Sequence, residues 1–148
     1  MRAGDLASEF PTVGLDTSAM EAARLLAGQN LPGLVVVDEH RWPVTILPGT
    51  QVLRMAVPDY CQQDPALARV IDESHADAFI RDLADRTVRE CLPKEHRELP
   101  VVDAAATVLE IAALMARARS PLVAVVGADK TLSGVITLDA LLDRMLAS

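Results

Sequence analysis

Few side chains in this sequence have the types and spacing of a reactive site. There is no GxxxxGKS or GxxxxGKT phosphate loop, no GxGxxG, no HExxH and no GxSxG nucleophile elbow. Cys61 and Cys91 form no CxxC pair, and His40, His75 and His96 lie far apart along the chain. Metal centres and disulfide scaffolds need clustered ligands or paired cysteines. We therefore expect no catalytic residues and no metal site, and we expect both cysteines to be small buried hydrophobic residues.

The composition indicates a folded acidic protein. The 148 residues are 51% hydrophobic, and 14 basic against 21 acidic side chains give a formal net charge of −7. Nucleic acids and anionic membrane surfaces both require a basic surface, so neither is an expected partner. The longest apolar runs, residues 34–37 and 121–126, are far shorter than the roughly 20 residues that span a bilayer. No signal peptide is visible, because Asp5 and Glu9 interrupt the start of the sequence, and we expect a cytoplasmic location.

The chain contains an internal repeat, which is decisive for predicting its fold. The two copies are 89 residues apart up to the end of their first apolar run, and we then assume a slip of one residue. The matched pairs are residues 18–26 with 107–115, Pro32 with Pro121, 34–37 with 123–126, Ile46 with Ile136, and 52–55 with 142–145.

Each copy predicts the same order of elements. Ser18 and Thr107 stand three residues before a glutamate, the pattern of a capping box, and therefore begin a helix. Gly28 suits a left-handed helix end. The predicted strands are residues 12–15, 34–37 and 44–47 in the first copy and 99–102, 123–126 and 134–137 in the second, and the final helices are 50–57 and 139–146.

The predicted fold class is α/β (α+β), with two pseudo-symmetric β-α-β-β-α repeats. The predicted domains are repeat 1 (residues 1–61), an inserted helical segment (62–86) and repeat 2 (87–148). Within the insertion, Asp64 and Pro65 form a helix start, and apolar residues form a stripe from Leu67 to Leu83. Since neither copy is large enough to fold comfortably alone, we expect the repeats to pack together and to leave a cleft at their seam.

These repeats resemble a tandem pair of CBS (cystathionine β-synthase) domains, often called a Bateman module. The resemblance rests on residues 134–142, on residues 121–126 and on the capped helix before them, in that order. It covers nearly the whole chain except the insertion. It implies a non-catalytic module that senses an adenosine-type nucleotide such as AMP, ADP, ATP or S-adenosylmethionine, usually as a homodimer.

The resemblance also implies where such a ligand is held. In the family, a Thr or Ser and an Asp three residues later commonly bind the ribose. Thr137 occupies the first position, but Ala140 occupies the second and Asp139 stands one residue early. With the one-residue slip, Leu47 and Thr50 are the counterparts in the first copy. The expected ligand-binding residues are Thr137, Asp139, Pro121, Leu122, Thr50 and Leu34, with Leu34 and Leu122 similar to family positions that line an adenine pocket.

Two functions follow as alternatives. The first is a regulatory module that requires no cofactor, binds an adenine nucleotide between the repeats and signals to a transporter, channel or enzyme. The second is an assembly protein whose nucleotide sites have degenerated and whose remaining role is dimerisation. The missing carboxylate at Ala140 favours the second, and Thr137 favours the first. Asp139 also has a purely structural explanation, because an acidic residue in the first turn stabilises a helix.

Overall fold

The computed structural model describes residues 1–71, 73–95 and 98–147. Its strands are β1 (Thr12–Gly14), β2 (Gly33–Val37), β3 (Pro43–Pro48), β4 (Val101–Asp103), β5 (Leu122–Val126) and β6 (Leu132–Thr137). Its α-helices are α1 (Ala3–Leu6), α2 (Ala19–Gly28), α3 (Gly49–Ala56), α4 (Asp59–Gln63), α5 (Glu73–Arg81), α6 (Val88–Cys91), α7 (Val108–Ala118) and α8 (Leu138–Leu146). The strands form two three-stranded sheets, ordered β1-β2-β3 and β4-β5-β6.

The predicted fold class is confirmed. The order β1-α2-β2-β3-α3 recurs as β4-α7-β5-β6-α8. In the second sheet, β4 pairs with β5 in parallel and β5 pairs with β6 in antiparallel orientation. A parallel pair needs a crossover connection, and α7 supplies it.

The helix starts were predicted correctly, but one helix end was not. The Ser18 hydroxyl accepts a hydrogen bond from the Glu21 N–H at 3.1 Å, and the Thr107 hydroxyl accepts one from the Glu110 N–H at 3.2 Å. Gly28 does not adopt the left-handed conformation. Asn30 does so instead, with φ of 52°, because α2 continues through Gly28. Asparagine tolerates this conformation better than most residues.

The predicted one-residue slip between the repeats is wrong. The hairpin turns match at a constant spacing of 89 residues: Arg41 and Lys130 both have positive φ, 62° and 68°. The two turns are also closed by equivalent hydrogen bonds. The Asp38 N–H donates to the Trp42 carbonyl, and the Gly127 N–H donates to the Thr131 carbonyl, both at 3.0 Å. Strands β3 and β6 are both six residues long, with their middle residues buried at equivalent positions.

The corrected register changes which residues of the two copies correspond. Pro48, the N-cap residue of α3, is the counterpart of Thr137, the N-cap residue of α8. Thr50 is then the counterpart of Asp139, and not of Ala140 as the slip implied.

The contacts divide the chain into two compact units that each draw on both repeats. The first comprises Met1–Thr12, Val35–Ile46 and Arg97–Ser148, and the second comprises Val13–Leu34 and Leu47–His96. The domain boundaries after residues 61 and 86 concern the repeats in the sequence and stay a prediction.

In the first unit, β5 and β6 are buried on both faces. One face packs in a core with α7 and α8, whose buried members are Ala3, Val102, Ala106, Ile111, Met115, Val123, Val125, Ile136 and Leu141. The other face packs in a core whose buried members are Val35, Val37, Ile46, Leu122 and Val135. Side chains alternate between the faces of a strand, so Leu122 and Val123 belong to different cores. This explains why residues 122–126 are apolar without interruption.

The N-terminal segment of the first unit covers the free edge of its sheet. Ala3 and Gly4 donate backbone hydrogen bonds to the carbonyls of Ala106 and Ala104 at 2.9 and 3.0 Å. Ser8 and Val135 exchange both backbone hydrogen bonds, at 3.0 and 2.9 Å. The segment therefore extends the sheet beyond β6.

The second unit contains the equivalent arrangement. Val88 and Arg89 donate to the carbonyls of Thr17 and Leu15 at 2.8 and 2.9 Å. These acceptors lie 89 residues before those that α1 uses. Helix α6 is held further by the Gln51 side-chain amide, which donates to the Cys91 carbonyl at 2.7 Å. A short helix thus docks against the loop before the first long helix in both units.

The predicted insertion, residues 62–86, contains only short helices among its described residues, and its apolar stripe is largely exposed. The Asp64 carboxylate caps a 3₁₀ helix (Pro65–Val70) by accepting from the Ala66 N–H at 3.2 Å. Val70 is 83% exposed, whereas Leu83 is buried. The short helices α4 and α5 and the 3₁₀ turns replace the predicted helix or helix pair, and Asp72 lies outside the described residues.

We predict that Gly134→Ala destabilises the protein by about 1 to 3 kcal/mol through overpacking. A Cβ atom at Gly134 would lie 2.9 Å from the Ala7 Cβ and 3.3 Å from the Ser8 carbonyl oxygen. Urea unfolding measures the change. Gly28→Ala is the matched control, since its Cβ would meet nothing within 4 Å.

A second substitution tests the cause. Ala7→Gly in the Gly134→Ala background removes the nearest clashing atom and should recover part of the lost stability, a coupling that a double-mutant cycle detects. Purely additive effects of the two substitutions would contradict the proposed contact.

Candidate functional site

The junction between β6 and α8 brings together three of the predicted site residues. Thr137 ends β6, and its hydroxyl caps α8 by accepting from the Ala140 N–H at 3.2 Å. Leu122 is the residue paired with Thr137 across the sheet. The Leu138 N–H donates to the Pro121 carbonyl at 2.9 Å, which ties the start of α8 to the start of β5. Thr137, Pro121 and Leu122 therefore form one rigid corner.

The chemistry of this corner is that of a helix N-terminus with a hydroxyl beside it. Thr137 is half-buried, and its oxygen accepts from the backbone while its own O–H remains a donor. The N-terminus of α8 carries the first N–H groups of the helix and the positive end of its dipole, and both favour anions. Asp139 is exposed in the first turn.

The predicted ligand-binding residues of the first copy, Leu34 and Thr50, lie in the second unit, and their surroundings differ from those of Thr137. Leu34 is fully buried in β2. Thr50 is exposed in the first turn of α3, whose N-cap residue, Pro48, offers no side-chain hydrogen bond. The sequence-predicted cleft that would unite Leu34 and Thr50 with Thr137 stays a prediction.

A cavity of about 520 Å³ lies between α7 and α8, within the first unit. Its lining is almost wholly apolar and consists of Ala112, Met115, Ala116, Arg119, Ser120, Pro121, Leu138, Leu141, Leu142 and Met145. We call this surface the α7/α8 groove. Met145, which lines the groove, is 46% exposed, and Leu109, one helical turn before Ala112 on α7, is 75% exposed. Pro121 belongs both to the groove and to the β6–α8 corner.

The exposed apolar face of α8 is a feature that the sequence analysis missed. Its signal is the recurrence of Leu138, Leu142 and Met145 at spacings of four and three residues. Those positions were hard to separate from ordinary core residues, because Leu141 on the same helix is buried.

The remaining chemistry-bearing groups form no second centre. Among residues 1–71, 73–95 and 98–147, no group of three or more His, Cys, Asp or Glu is placed to hold a metal ion. His40 is exposed, His96 lies outside the described residues, and the side chain of His75 is likewise outside them. No helix in the described part of the chain is long and apolar enough to cross a membrane.

Both cysteines are free and buried, which confirms their prediction as hydrophobic core residues. Burial raises the pKa of the Cys91 thiol, and the Glu90 carboxylate raises it further, while Arg86 lowers it. A raised pKa keeps the thiol protonated at neutral pH, and the thiolate is the reactive form. Cys91 is therefore a poor nucleophile.

The family follows from comparison with known proteins. The CBS domain model matches residues 3–41 and 77–147, which together exceed half of the chain. The chain belongs to the CBS domain family and carries a tandem CBS pair. CBS domains are generally non-catalytic regulatory modules, and no enzyme family is identified. A search of curated proteins finds no significant match.

Solved structures of this family share the fold. A CBS domain-containing protein of unknown function from Kribbella flavida DSM 17836 is 53% identical, with a TM-score of 0.90 over 100% of this chain and 99% of that one. The structure of CBSX2 in complex with AMP is 20% identical, with a TM-score of 0.68 over 99% and 96%. The CBS domain of a membrane protein from Sphaerobacter thermophilus is 21% identical, with a TM-score of 0.74 over 100% and 90%.

We predict that Thr137→Val lowers the free energy of unfolding by about 1 kcal/mol, because the Ala140 N–H loses its acceptor at the start of α8. Thr137→Ser, which keeps the hydroxyl, should stay within a few tenths of a kcal/mol of the natural protein. Urea unfolding compares the three chains. Equal stability of the Val and Ser variants would show that the cap contributes nothing.

Proposed function

We propose that this chain is a non-catalytic regulatory module that binds an adenosine-type nucleotide at the β6–α8 corner of its second repeat. The observation that carries this proposal is the Thr137 hydroxyl, held half-buried at the N-terminus of α8. CBSX2, a protein of the same fold, has been solved with AMP, and this supports an adenine nucleotide as the ligand class. AMP, ADP, ATP and S-adenosylmethionine are the candidates.

The corner suits the polar part of such a ligand. A ribose hydroxyl can accept from the Thr137 O–H, and phosphate oxygens are favoured at the N-terminus of α8. Asp139 supplies a carboxylate that can accept from hydroxyl groups, whereas its charge opposes a phosphate placed beside it. The balance favours a ligand whose ribose, and not its phosphate chain, lies nearest Asp139.

The two repeats are not equivalent in this respect. Pro48 stands at the position of Thr137 and provides neither a hydroxyl nor a backbone N–H. Thr50 stands at the position of Asp139 and provides no carboxylate. We therefore place the ligand in the second repeat alone, with one site per chain.

Binding of a ligand by this corner should be visible in titrations with AMP, ADP, ATP and S-adenosylmethionine. A true ligand at a hundredfold excess over its dissociation constant stabilises the fold by about 2.7 kcal/mol, which a thermal shift detects and calorimetry quantifies. Flat curves with all four compounds would reject nucleotide binding.

Thr137→Val locates the site. It should weaken binding by about 1 to 3 kcal/mol, because a ribose hydroxyl loses its partner. Thr137→Ser is the matched control and should bind as the natural protein does. Measuring both at a temperature where each is fully folded separates the ligand contact from the cap. Unchanged affinity of the Val variant would move the site elsewhere.

A second function, assembly of a homodimer, is favoured by the α7/α8 groove. The groove is apolar, and Leu109, Leu142 and Met145 beside or within it are exposed. Exposed apolar surface of this kind marks an interaction site. Ala112 and Ala116 are small and permit another helix to approach closely. A second copy of the chain presents the same apolar face and is the partner that we propose.

Ala116→Glu should convert a dimer into a monomer, because it places a charge on the apolar surface that the second copy would cover. Ala128→Glu is the matched control, since Ala128 is exposed in the turn between β5 and β6 and lies outside the groove. Sedimentation measures the mass of each variant. A monomeric natural protein, or a dimeric Ala116→Glu variant, would reject this surface.

The two functions join in a single regulatory scheme. A ligand changes the preferred arrangement of a dimer only if it binds one arrangement more tightly than the other. The regulated partner would be a transporter, channel or enzyme, and the cytoplasmic location belongs to the same proposal. If a dimer forms and all nucleotide titrations are flat, the assembly function alone remains.

A further inference from the structure

The N-terminal residues 1–8, here called the strap, connect three parts of the second repeat. Ala3 and Gly4 bond to the loop between β4 and α7, at Ala106 and Ala104. The Arg2 guanidinium donates to the Ala105 carbonyl in the same loop at 2.9 Å. Arg2 also pairs with Thr107, the residue that caps α7. The strap thus holds the point at which α7 begins.

At its other end the strap pairs with the strand that carries the proposed ligand residue. Ser8 exchanges both backbone hydrogen bonds with Val135, which lies two residues before Thr137. Gly134 permits the close approach, because any Cβ there would meet Ala7. The strap is therefore in direct contact with β6 and with the loop that starts α7, the two elements that lead into the α7/α8 groove.

The strap is held by backbone hydrogen bonds more than by buried side chains. Ala3 is its only fully buried residue, and Leu6 and Ala7 are half-buried. In the equivalent α6, Val88 and Cys91 are both buried. Because apolar burial is the main stabilising contribution, the strap should open at a smaller free-energy cost than α6 does.

We infer that the strap opens as a unit of its own and that its docking is energetically coupled to ligand occupancy at Thr137. The coupling half of this inference rests on the proposed function. A docked strap restrains β6 and thereby the Thr137 corner. By linkage, a ligand that favours the restrained corner must strengthen the docking of the strap by the same factor.

Amide hydrogen exchange of the whole chain tests the opening. Successive strand residues point their N–H groups to opposite sides, so Val135 reports the strap and Ile136 reports the pairing of β6 with β5. Val135 and Ser8 should exchange together and at least about tenfold faster than Ile136. Equal rates at Val135 and Ile136 would overturn the separate opening.

Two variants show whether the strap is what protects Val135. Ser8→Pro removes the N–H that bonds to the Val135 carbonyl, and the preceding residue, Ala7, has φ of −68° and ψ of 140°, which suit a residue before proline. It should accelerate Val135 exchange by about tenfold while Ile136 is unchanged. Gly134→Ala should also accelerate Val135 exchange, by displacing Ala7. Ser8→Ala keeps both backbone bonds and is the control. Unchanged Val135 exchange in both disrupting variants would overturn the assignment.

AMP tests the coupling. Saturating AMP should slow Val135 exchange by about 5- to 150-fold, the usual range of coupling between sites. Ser8→Pro should weaken AMP binding, with the same factor as the upper limit when the strap is fully undocked, while Ser8→Ala does not. If AMP binds and Val135 exchange is unaffected, the coupling is wrong and the proposed function survives. If AMP does not bind the natural protein, the proposed function and the coupling both fail, and the exchange rates without ligand still decide whether the strap opens separately.

Discussion

The burial of the β5–β6 hairpin on both faces is the constraint on which the first unit depends. A strand with two buried faces needs a cover on each side, and its free edge needs a hydrogen-bonding partner. Helices α7 and α8 cover one face, residues from Val35 to Ile46 contribute to the cover of the other, and Ser8 pairs with the edge. Because the covering residues come from distant parts of the sequence, the compact unit contains residues of both repeats.

The same constraint creates the candidate site. Strand β6 runs directly into α8, so its last residue, Thr137, is also the N-cap residue of that helix. The carbonyl of Pro121 fixes the start of α8 from the neighbouring strand. The corner is therefore rigid before any ligand arrives, which lowers the entropic cost of binding. The α7/α8 groove adjoins this corner, so the proposed ligand site and the proposed assembly surface share Pro121 and Leu138.

Duplication did not make the two copies chemically equal. The backbone repeats closely, down to the positive φ of Arg41 and Lys130 in the two hairpin turns. Side chains at the ends of β3 and β6 nevertheless diverged to Pro48 and Thr137. Backbone geometry is conserved between the copies because it carries the sheet hydrogen bonds, whereas the N-cap residue can change at a cost of about 1 kcal/mol. This asymmetry is what assigns the proposed ligand to one repeat.

The sequence by itself determined the local structure. Period, capping residues and turn residues predicted the repeated order of elements and the starts of α2 and α7, because each depends on interactions between near neighbours. The burial of Cys61 and Cys91 was predicted from residue type alone, since unpaired cysteine is among the most buried residues. The correct register between the copies was missed: after the shared apolar runs the turns have different residues, and only the paired backbone bonds reveal that they are equally long.

Only the tertiary structure decided which surfaces are covered. The docking of residues 1–8 on the second repeat joins positions 100 or more residues apart, and no periodicity encodes such a contact. The open face of α8 is another case, since Leu141 and Leu142 are both leucines that line the groove and only packing buries the first and leaves the second 43% exposed. Burial is a property of the assembled fold, because it depends on which distant residues arrive to exclude water.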